Sequence, residues 1–508
     1  MNYLNTQQIA HLHNHTDKGS NLRLIDCIIK VEDLIDYAVE QGDVGVAITD
    51  HESLSAHVDA LCYVKDGKAS GKIPKDFKLI LGNEIYLVDE VTQYEDETGK
   101  MRYACNPPFY HFILLAKDEI GHRQLRKLSS IAWKQMFRTG EMERVPLSKE
   151  QLKQIVEKDR GHLIASTACL GSELGKTLLD MRDGTTDLPF SDPEYDTQYK
   201  EKLEKQLTDY LKYCVDLFGE DFYLEMQPND EEDQTYVNEK IIELADKYNI
   251  NTIITTDSHY LRVEDREYHK AYLKSHEEER EVDDFYKTTY LMNVEEIHEY
   301  MDENIGKENV DIALNNTVKI ANKVKEYDLY HSQIVPKLPI EDFEMSHSFE
   351  PIYNEYPYIK KFAYSDDIHD RYFLQLIEDG WWEKEYREDL TKEEKVEMMN
   401  RIEQELEAVW ESSIKINDKI SSYYVTALDI VNMMWADNGG NSLVGPSRGS
   451  IAAFYTAYLI GLQQINSLKY NIPYWRHLKR LLILSLFLSN KEELYCMKIM
   501  KILKTCMS

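Results

Sequence analysis

Residue types that bind metal ions recur through the first half of the chain, beside short apolar runs. His13 and His15 stand near the amino terminus, and Asp257 and His259 repeat the same spacing at the far end of this region. Residues two apart in a strand face the same side, so each pair can direct two ligands at one centre. The spacing therefore predicts one metal centre shared by distant segments. Between the pairs, the further residues of these types are His51, Glu84, His111 and Cys169.

The chemistry of these side chains limits both the metal and the reaction. Imidazole and carboxylate ligands in this mixture suit Zn²⁺, Mn²⁺ or Fe²⁺ better than Ca²⁺. Two metal ions about 3.5 to 4 Å apart can activate a water and neutralise charge on the attacked and leaving oxygens of a phosphate ester. Hydrolysis of a phosphate ester is the predicted reaction, and it needs no Ser or Cys nucleophile. A lone buried His is more often a core residue, so the prediction depends on both pairs occurring together.

The elements that must position these residues are strands and helices in alternation. Helical stretches such as VEDLIDYAVEQG, with Gly42 placed as a carboxyl-terminal cap, separate the apolar runs. This alternation predicts an α/β domain with a parallel sheet, open or closed into a barrel, whose strand ends converge on one mouth. His111 fits less well, because it precedes its run. The runs are residues 44–49, 78–88, 112–116, 162–167, 222–227 and 251–256.

Changes in composition divide the chain into three predicted segments, 1–275, 276–475 and 476–508. Residues 85–110 interrupt the first with charge, Gly and paired prolines, and we expect a long hairpin or insertion there. The acidic run HEEEREVDD opens a second segment that is mainly helical. The last segment is basic, rich in Leu and Met and without Asp. We interpret that reversal as an aberrant end, produced by truncation or a frameshift.

The formal net charge of −32 opposes any surface-wide attraction to DNA, so nucleic acid would have to bind at local patches. One basic segment also carries the aromatic residues Trp133 and Phe137. Its charge pattern favours a helix with a solvated basic face and with its aromatic residues in the core. This interpretation is preferred to a DNA-binding surface. The basic and histidine side chains of this segment are His122, Arg123, Arg126, Lys127, Lys134, Arg138 and Arg144.

Cysteine usage and apolar runs predict where the protein works. Seven cysteines include no CxxC pair, which is typical of a reduced cytosolic protein. The first residues lack the basic flank and apolar core of a signal peptide. The apolar run at 481–488 is too short to span a bilayer. We therefore expect a cytoplasmic protein without a membrane partner.

The segments HLHNHT, AITDH, GNEIY, ASTACLGSEL and TTDSHY, in this order, resemble the motifs of the PHP domain of bacterial DNA polymerase III alpha subunits. The resemblance implies a distorted (β/α)7 barrel with two to three divalent metals (Zn, Mn or Fe). It also implies a 3′ to 5′ proofreading exonuclease in which His13, His15, Asp257 and His259 act through bound metal. Asp26 and Cys169 are included through the resemblance alone. The implied ligands are His13, His15, Asp26, His51, Glu84, His111, Cys169, Asp257 and His259.

The turn GPSRGS, residues 445–450, is the informative segment of the second half. Its backbone N–H groups and guanidinium can hold a triphosphate, although an ordinary Gly-rich turn explains it equally well. With RIEQELEAVW and SSYYVTALDIVNMMWADN it resembles the palm of the same polymerase family. The resemblance implies contacts from Gly445, Arg448, Gly449 and Ser450 to an incoming deoxynucleoside triphosphate. A complete homologue holds Mg²⁺ on an Asp-x-Asp motif, but this chain has no Asp after residue 450, so we expect an incomplete palm that does not polymerise DNA.

The sequence thus predicts the amino-terminal portion of a replicative DNA polymerase, from a bacterium or a bacteriophage, whose PHP part cleaves DNA. Other replisome proteins are expected partners. Two alternatives stay open. One is a stand-alone PHP phosphatase acting on a small phosphate ester, which would have no use for GPSRGS. The other is a non-catalytic scaffold for replication proteins, which would contain no metal.

Overall fold

The computed structural model describes residues 8–139, 142–183, 195–276, 284–330, 334–436, 440 and 442–478. The chain divides into two compact units, residues 1–330 and 331–508. The first unit extends past the boundary predicted at residue 275. The segment beyond that boundary packs on the sheet, where Thr317 accepts a hydrogen bond from the Ala10 amide at 3.1 Å and Asn316 donates one to the Thr252 carbonyl at 2.8 Å.

The first unit alternates strands with helices, as predicted. Its strands are β1 (Ala10–His11), β2 (Gly45–Ile48), β3 (Lys78–Val88), β4 (Thr92–Glu95), β5 (Met101–Ala104), β6 (Tyr110–Ala116), β7 (Phe137–Thr139), β8 (Met142–Arg144), β9 (Pro146–Ser148), β10 (Leu163–Ser166), β11 (Phe222–Met226) and β12 (Asn251–Ile254). Its helices are α1 (Val31–Gln41), α2 (His57–Ser70), α3 (Glu119–Lys134), α4 (Lys149–Val156), α5 (Glu173–Asp183), α6 (Tyr195–Phe218), α7 (Glu232–Tyr248), α8 (Arg266–His276), α9 (Val294–Ile305) and α10 (Lys307–Lys323).

The main sheet has the strand order β1-β2-β3-β6-β10-β11-β12, with β9 paired to β3. It curls, because a parallel bridge between Asn14 and Ser258 joins the residues that follow its two outer strands. The His15 amide donates to the Ser258 carbonyl at 3.0 Å across this bridge. The curled sheet with helices around it confirms the predicted PHP-type distorted barrel, and it brings the two ends of the candidate site together.

One strand runs against the expected direction. The prediction of a wholly parallel sheet is wrong for β6, which pairs antiparallel with both β3 and β10. A parallel neighbour needs a long crossover, whereas β3 and β6 are connected by the predicted hairpin insertion, which forms as β4 and β5. The chain therefore returns alongside β3, and β6 begins at the edge where the neighbouring strands end.

Local sequence signals account for the strands and helices. Strands β2 and β10 are buried along their whole length, as short apolar runs covered on both faces should be. Helix α1 ends at Gly42, whose φ of 82° gives the left-handed cap that was predicted. Helix α4 begins with a capping box between Ser148 and Gln151. Strand β10 and helix α4 border the apolar core around Leu114 and Leu224, whereas α1 and β2 pack together in a separate core around Leu34 and Val46.

The basic segment does not form one exposed patch. His122 is buried, with its Nε2 3.0 Å from Nδ1 of His57. Trp133 donates to the Glu52 carbonyl at 2.7 Å, and Arg138 donates to Glu143 on the paired strand. These contacts divide the segment between core and surface, in agreement with the structural interpretation of its charge pattern.

The second unit is mainly helical, as predicted. Stacked aromatic rings build much of its core, with Tyr424 between Phe373 and Phe454 at centroid distances of 5.3 and 5.9 Å. Buried Glu405 accepts from the amides of Tyr455 and Thr456, both at 2.8 Å, and so fixes the start of the last helix. The helices are α11 (Pro357–Ala363), α12 (Ile368–Lys384), α13 (Lys392–Ile416), α14 (Ile420–Trp435) and α15 (Tyr455–Leu459).

Two sequence predictions concern segments that the structure describes only in part. The last predicted segment, 476–508, lies outside the described residues from 479 onward. Within the described ranges, every helix is too short or too polar to cross a bilayer.

Candidate metal centre

The structure brings all nine predicted ligands into one cluster at the mouth of the curled sheet. Most contacts within the cluster link residues that are far apart in sequence, and Glu84 takes part in four of them. Its Oε2 lies 3.2 Å from Nε2 of His13, 3.2 Å from Nε2 of His15 and 3.3 Å from Nδ1 of His51. Its Oε1 lies 2.6 Å from Nδ1 of His111. One carboxylate thus contacts four imidazoles from three other segments.

Asp257, which follows β12, completes the inner part of the cluster. Its Oδ1 is 2.9 Å from Nε2 of His15, 3.2 Å from Nε2 of His13 and 3.7 Å from Nδ1 of His259. The ligand atoms of His13, His15, Glu84 and Asp257 all lie within 4.8 Å of one another. Three of the four residues in the two pairs that the sequence analysis singled out therefore lie together, and His259 contacts Asp257 beside them.

Asp26 and two histidines form the other side of the cluster. Asp26 Oδ2 lies 3.2 Å from Nε2 of His51 and 3.9 Å from Nε2 of His259. The rings of His15 and His51 stack with centroids 3.9 Å apart. His15, His51 and His259 can also direct ring nitrogens within 4.8 Å of one another. A second group of ligand atoms thus shares His15 with the first.

His111 and Cys169 lie at the outer edge of the cluster. The direction of β6 explains His111, because an antiparallel strand begins where its neighbours end, and His111 pairs with Tyr86 of β3. Cys169 Sγ lies 3.4 Å from Nδ1 of His111. Gly171 approaches the same ring so closely that a Cβ there would lie 3.0 Å from it. The site therefore includes the one histidine that the strand argument did not explain.

The pKa values follow from opposite charges held together in a buried cluster. Burial opposes protonation of His13, but the carboxylates of Asp257 and Glu225 raise its pKa well above 6.5. Burial opposes protonation of His51 in the same way, and Asp26 and Glu84 raise its pKa to about 10. Burial favours the neutral form of Glu84, but His111 and His51 hold its pKa well below 4.5. Burial, and after it the charge of His15, lowers the pKa of His259 to about 3. The carboxylates thus favour positive charge on His13 and His51, and a bound divalent ion would replace the proton there.

The arrangement of nitrogens fits divalent metal ions. Nδ1 of His13 lies 2.7 Å from Glu225 Oε1, and Nδ1 of His15 lies 3.0 Å from Ser20 Oγ. Nδ1 of His259 lies 2.7 Å from the Asp257 carbonyl. With these nitrogens protonated, each Nε2 presents a lone pair to the cluster, the orientation that outer hydrogen bonds give to metal-binding histidines.

Several buried atoms also lack the hydrogen bonds that burial normally requires. Oε1 of Glu84, Nε2 of His51 and Oδ1 of Asp26 have no hydrogen-bond partner among the described residues, although charged neighbours lie close. Buried polar atoms are nearly always satisfied. Lone pairs held close together without hydrogen-bond alignment are what a metal ion would occupy, so the donor set can hold divalent ions.

Backbone strain is concentrated at the same place. Glu52, Ala168 and Asp257 have φ values of 46°, 59° and 46°, in the left-handed region that residues with a Cβ seldom adopt. Glu52 follows His51 and Ala168 precedes Cys169, so each strained residue belongs to the cluster or borders a residue of it. Strain of this kind costs about 1–3 kcal/mol per residue and persists where surrounding structure enforces it, commonly at functional sites.

Sequence reasoning missed the residues that orient the ligands. Glu225, on β11, also accepts hydrogen bonds from Ser166 and from Thr255, the latter at 2.6 Å. The Ser20 hydroxyl, which contacts Nδ1 of His15, donates a hydrogen bond to Asp50 at 2.9 Å. One signal for Glu225 was present, because a carboxylate inside the buried run FYLEM needs a buried partner. The Ser20 contact had no such signal.

The second predicted site lies in the other unit. Gly445, Arg448, Gly449 and Ser450 are exposed and line a cavity of about 800 Å³. Gly449 has a φ of 68°, and Ser450 Oγ lies 2.9 Å from Nδ1 of His477. The predicted residues therefore share one concave surface, which is open to solvent.

Known families match the chain in two segments. The model described as "PHP domain" matches residues 11–229, which include seven of the nine clustered residues. The other two, Asp257 and His259, lie beyond the matched segment. The model described as "Bacterial DNA polymerase III alpha NTPase domain" matches residues 371–481. The two matches occur in the order that the sequence motifs predicted.

Curated relatives align over nearly the whole chain. The DNA-directed DNA polymerase of Bacillus phage SPbeta is 45% identical over 472 residues, which cover 92% of this chain and 35% of the relative. The DNA polymerase III subunit alpha of Aquifex aeolicus (strain VF5) is 28% identical over 493 residues, which cover 93% of this chain and 35% of the relative. The chain thus spans about a third of the length of these relatives. Over nearly its whole length the chain is therefore similar to part of proteins named DNA-directed DNA polymerase and DNA polymerase III subunit alpha.

Proposed function

We propose that the first unit is a metal-dependent phosphoesterase that removes nucleotides from the 3′ end of DNA as a proofreading exonuclease. The strongest support is that nine residues with metal-binding side chains, from dispersed segments, lie in one cluster that includes Glu84. Relatives named as DNA polymerases make DNA the substrate that this proposal favours. In this proposal His13, His15, Asp257 and His259 act through bound metal.

The cofactors in this proposal are two to three divalent ions of Zn, Mn or Fe, held by the nine clustered residues. When bound, such ions activate a water and neutralise charge on the phosphate ester. The protein's own residues supply orientation. Glu225 fixes the ring of His13 and Ser20 fixes that of His15, so that both Nε2 atoms face Glu84 and Asp257. Burial of the inner ligands keeps bulk water away from them.

For the second unit we propose the nucleotide-contacting part of a polymerase palm. Gly445, Arg448, Gly449 and Ser450 would contact the phosphates of a deoxynucleoside triphosphate from the exposed turn. A complete homologue would add Mg²⁺ for polymerisation. The setting we propose is the cytoplasm of a bacterial host, with primer-template DNA and other replisome proteins as partners.

One assay separates this function from that of a small-molecule phosphatase. The chain, loaded with Mn²⁺ or Zn²⁺, is tested on a primer with a mismatched 3′ end and on a histidinol-phosphate-like ester, with a chelator-treated sample as control. We expect release of mononucleotides from the primer and loss of that release with the chelator. Hydrolysis of the ester alone would overturn the proposal. Absence of metal from the purified protein by elemental analysis would favour a scaffold instead.

A further inference from the structure

Three cationic side chains surround the exposed side of the candidate metal centre. His111 marks that side, because its side chain is 27% exposed while those of His13 and Glu84 are at most 1% exposed. A substrate must approach the cluster where a ligand is open to solvent. The groups around His111 therefore decide which substrates can enter.

Arg23 stacks on the ring of Tyr86, which contacts His111 at this opening. Its guanidinium carbon lies 3.7 Å from the ring centroid of Tyr86. The Tyr86 hydroxyl lies 2.9 Å from Nδ1 of His51, and its ring centroid lies 4.8 Å from that of His111. Nε and Nη1 of Arg23 are buried without a hydrogen-bond partner among the described residues. The ring of Tyr86 thus lies between the Arg23 guanidinium and the candidate ligands His51 and His111.

Arg144 and Lys176 contact the two residues that precede His111. The Arg144 guanidinium carbon lies 4.7 Å from the ring centroid of Phe109, and Nζ of Lys176 lies 5.5 Å from that of Tyr110. Phe109 and Tyr110 immediately precede His111 in the chain. Burial, and after it the charge of Arg23, lowers the pKa of Arg144, so the two guanidiniums are close enough to repel each other.

Among the described residues, carboxylates act on these cations from beyond ion-pair distance, as Asp180 does on Lys176. Among the described residues, no Asp or Glu oxygen lies within 4.0 Å of a side-chain nitrogen of Arg23, Arg144 or Lys176, whereas nearby Lys149 pairs with both Asp89 and Glu173. The opening therefore keeps positive charge in a protein whose net charge is −32.

We propose that Arg23, Arg144 and Lys176 form an anion subsite at the opening, which binds a phosphate group of the substrate beside the bond that is cleaved. The substrate assignment rests on the proposed function. Clustered cations with unsatisfied N–H groups suit a phosphate, which accepts several charge-assisted hydrogen bonds at once. A divalent metal in the centre would add positive charge and increase the need for an anion at this place.

The subsite is tested by phosphate binding rather than by activity alone. The double variant Arg23→Met/Arg144→Met removes both guanidiniums, and Met retains an apolar stem over the rings of Tyr86 and Phe109. Calorimetric titration of the metal-loaded chain with inorganic phosphate and with deoxythymidine 5′-monophosphate should give a Kd about tenfold higher or more in the variant. The matched control is Arg123→Met, an exposed arginine 3.7 Å from Asp159, which should leave both Kd values unchanged.

Further measurements separate failure of the subsite from failure to fold or failure of the proposed function. Metal content and thermal midpoint should match those of the unaltered chain, and Arg23→Lys/Arg144→Lys should retain part of the affinity. An unchanged Kd for phosphate and an unchanged KM for DNA in the Met variant would overturn the subsite while leaving the nuclease intact. Arginine-dependent phosphate binding in a chain that never cleaves DNA would support the subsite and overturn the nuclease.

Discussion

The two units hold their candidate site residues in opposite environments. In the first, His13, Glu84 and Asp257 are buried and contact one another directly. In the second, Arg448 and Ser450 are exposed on a turn that borders an open cavity. A buried polar cluster must be stabilised by its own contacts, so its geometry already indicates what it binds. An exposed turn gains its function only from the molecule that it meets.

The largest expected effect comes from removing a ligand of the buried cluster. His13→Ala or Asp257→Ala should reduce metal-dependent cleavage of a 3′-mismatched primer to the level of chelator-treated protein, because each residue contacts two or more other candidate ligands. Bound metal, measured by elemental analysis, should fall in parallel, and folding stability can fall with it. Full nuclease activity in both variants would refute the assignment.

A smaller effect is expected from a residue that orients a ligand. Glu225→Gln removes the carboxylate that holds Nδ1 of His13 at 2.7 Å, and such losses typically weaken metal affinity or activity about 10–100-fold. Metal titration followed by calorimetry measures the change. Glu232→Gln, at an exposed position at the start of α7, is the matched control. Equal metal affinity in both variants would show that Glu225 has only a structural role.

Not every buried histidine of the first unit belongs to the centre, since His57 and His122 contact each other instead. Burial lowers the pKa of His57 to about 3 and that of His122 to about 4. The unfolded chain binds protons at these residues near pH 6.5, so the pair stabilises the fold above that pH and loses this contribution as pH falls toward 4. In His57→Gln/His122→Gln, chemical denaturation between pH 6.5 and 4.5 should depend less steeply on pH.

The histidines of the candidate metal centre are present in both the double variant and the unaltered chain. Their titration therefore contributes equally to both pH profiles of the unfolding free energy. An identical pH dependence of the unfolding free energy in the variant and the unaltered chain would contradict the low pKa values of this pair.

The smallest expected effect is on cleavage when the exposed turn is altered. Arg448→Ala should leave the rate of primer cleavage nearly unchanged, since Arg448 belongs to the second unit. The rate is measured beside that of Asp257→Ala on the same primer. A large loss of cleavage in Arg448→Ala would mean that both units contribute to one site.

Much of the first unit could be predicted because its polar residues stand out against apolar runs. The strands before His51, Cys169 and Asp257 were predicted from such runs, and the curled sheet brings their ends together. His111 could not be placed by the same argument. Strand direction depends on the hairpin that connects β3 to β6, and the pattern of apolar residues along a strand is the same in both directions.

Other features depended on tertiary packing that no local pattern records. The boundary at residue 275 followed a change in charge, whereas α10 packs on the sheet through Asn316 and Thr317. Ser20 and Glu225 orient ligands through contacts that span several segments. The charge pattern of the basic segment did not show that Arg144 is placed beside Phe109 at the opening of the cluster.

The location of bound metal can be measured by anomalous X-ray diffraction from crystals of the chain grown with Mn²⁺. If the nine residues form a metal centre, anomalous peaks will lie among the ligand atoms of His13, His15, Glu84 and Asp257, with a further peak toward His51 and His259. Crystals in which these side chains form the same cluster at full Mn²⁺ saturation, with no anomalous peak among them, would contradict the account.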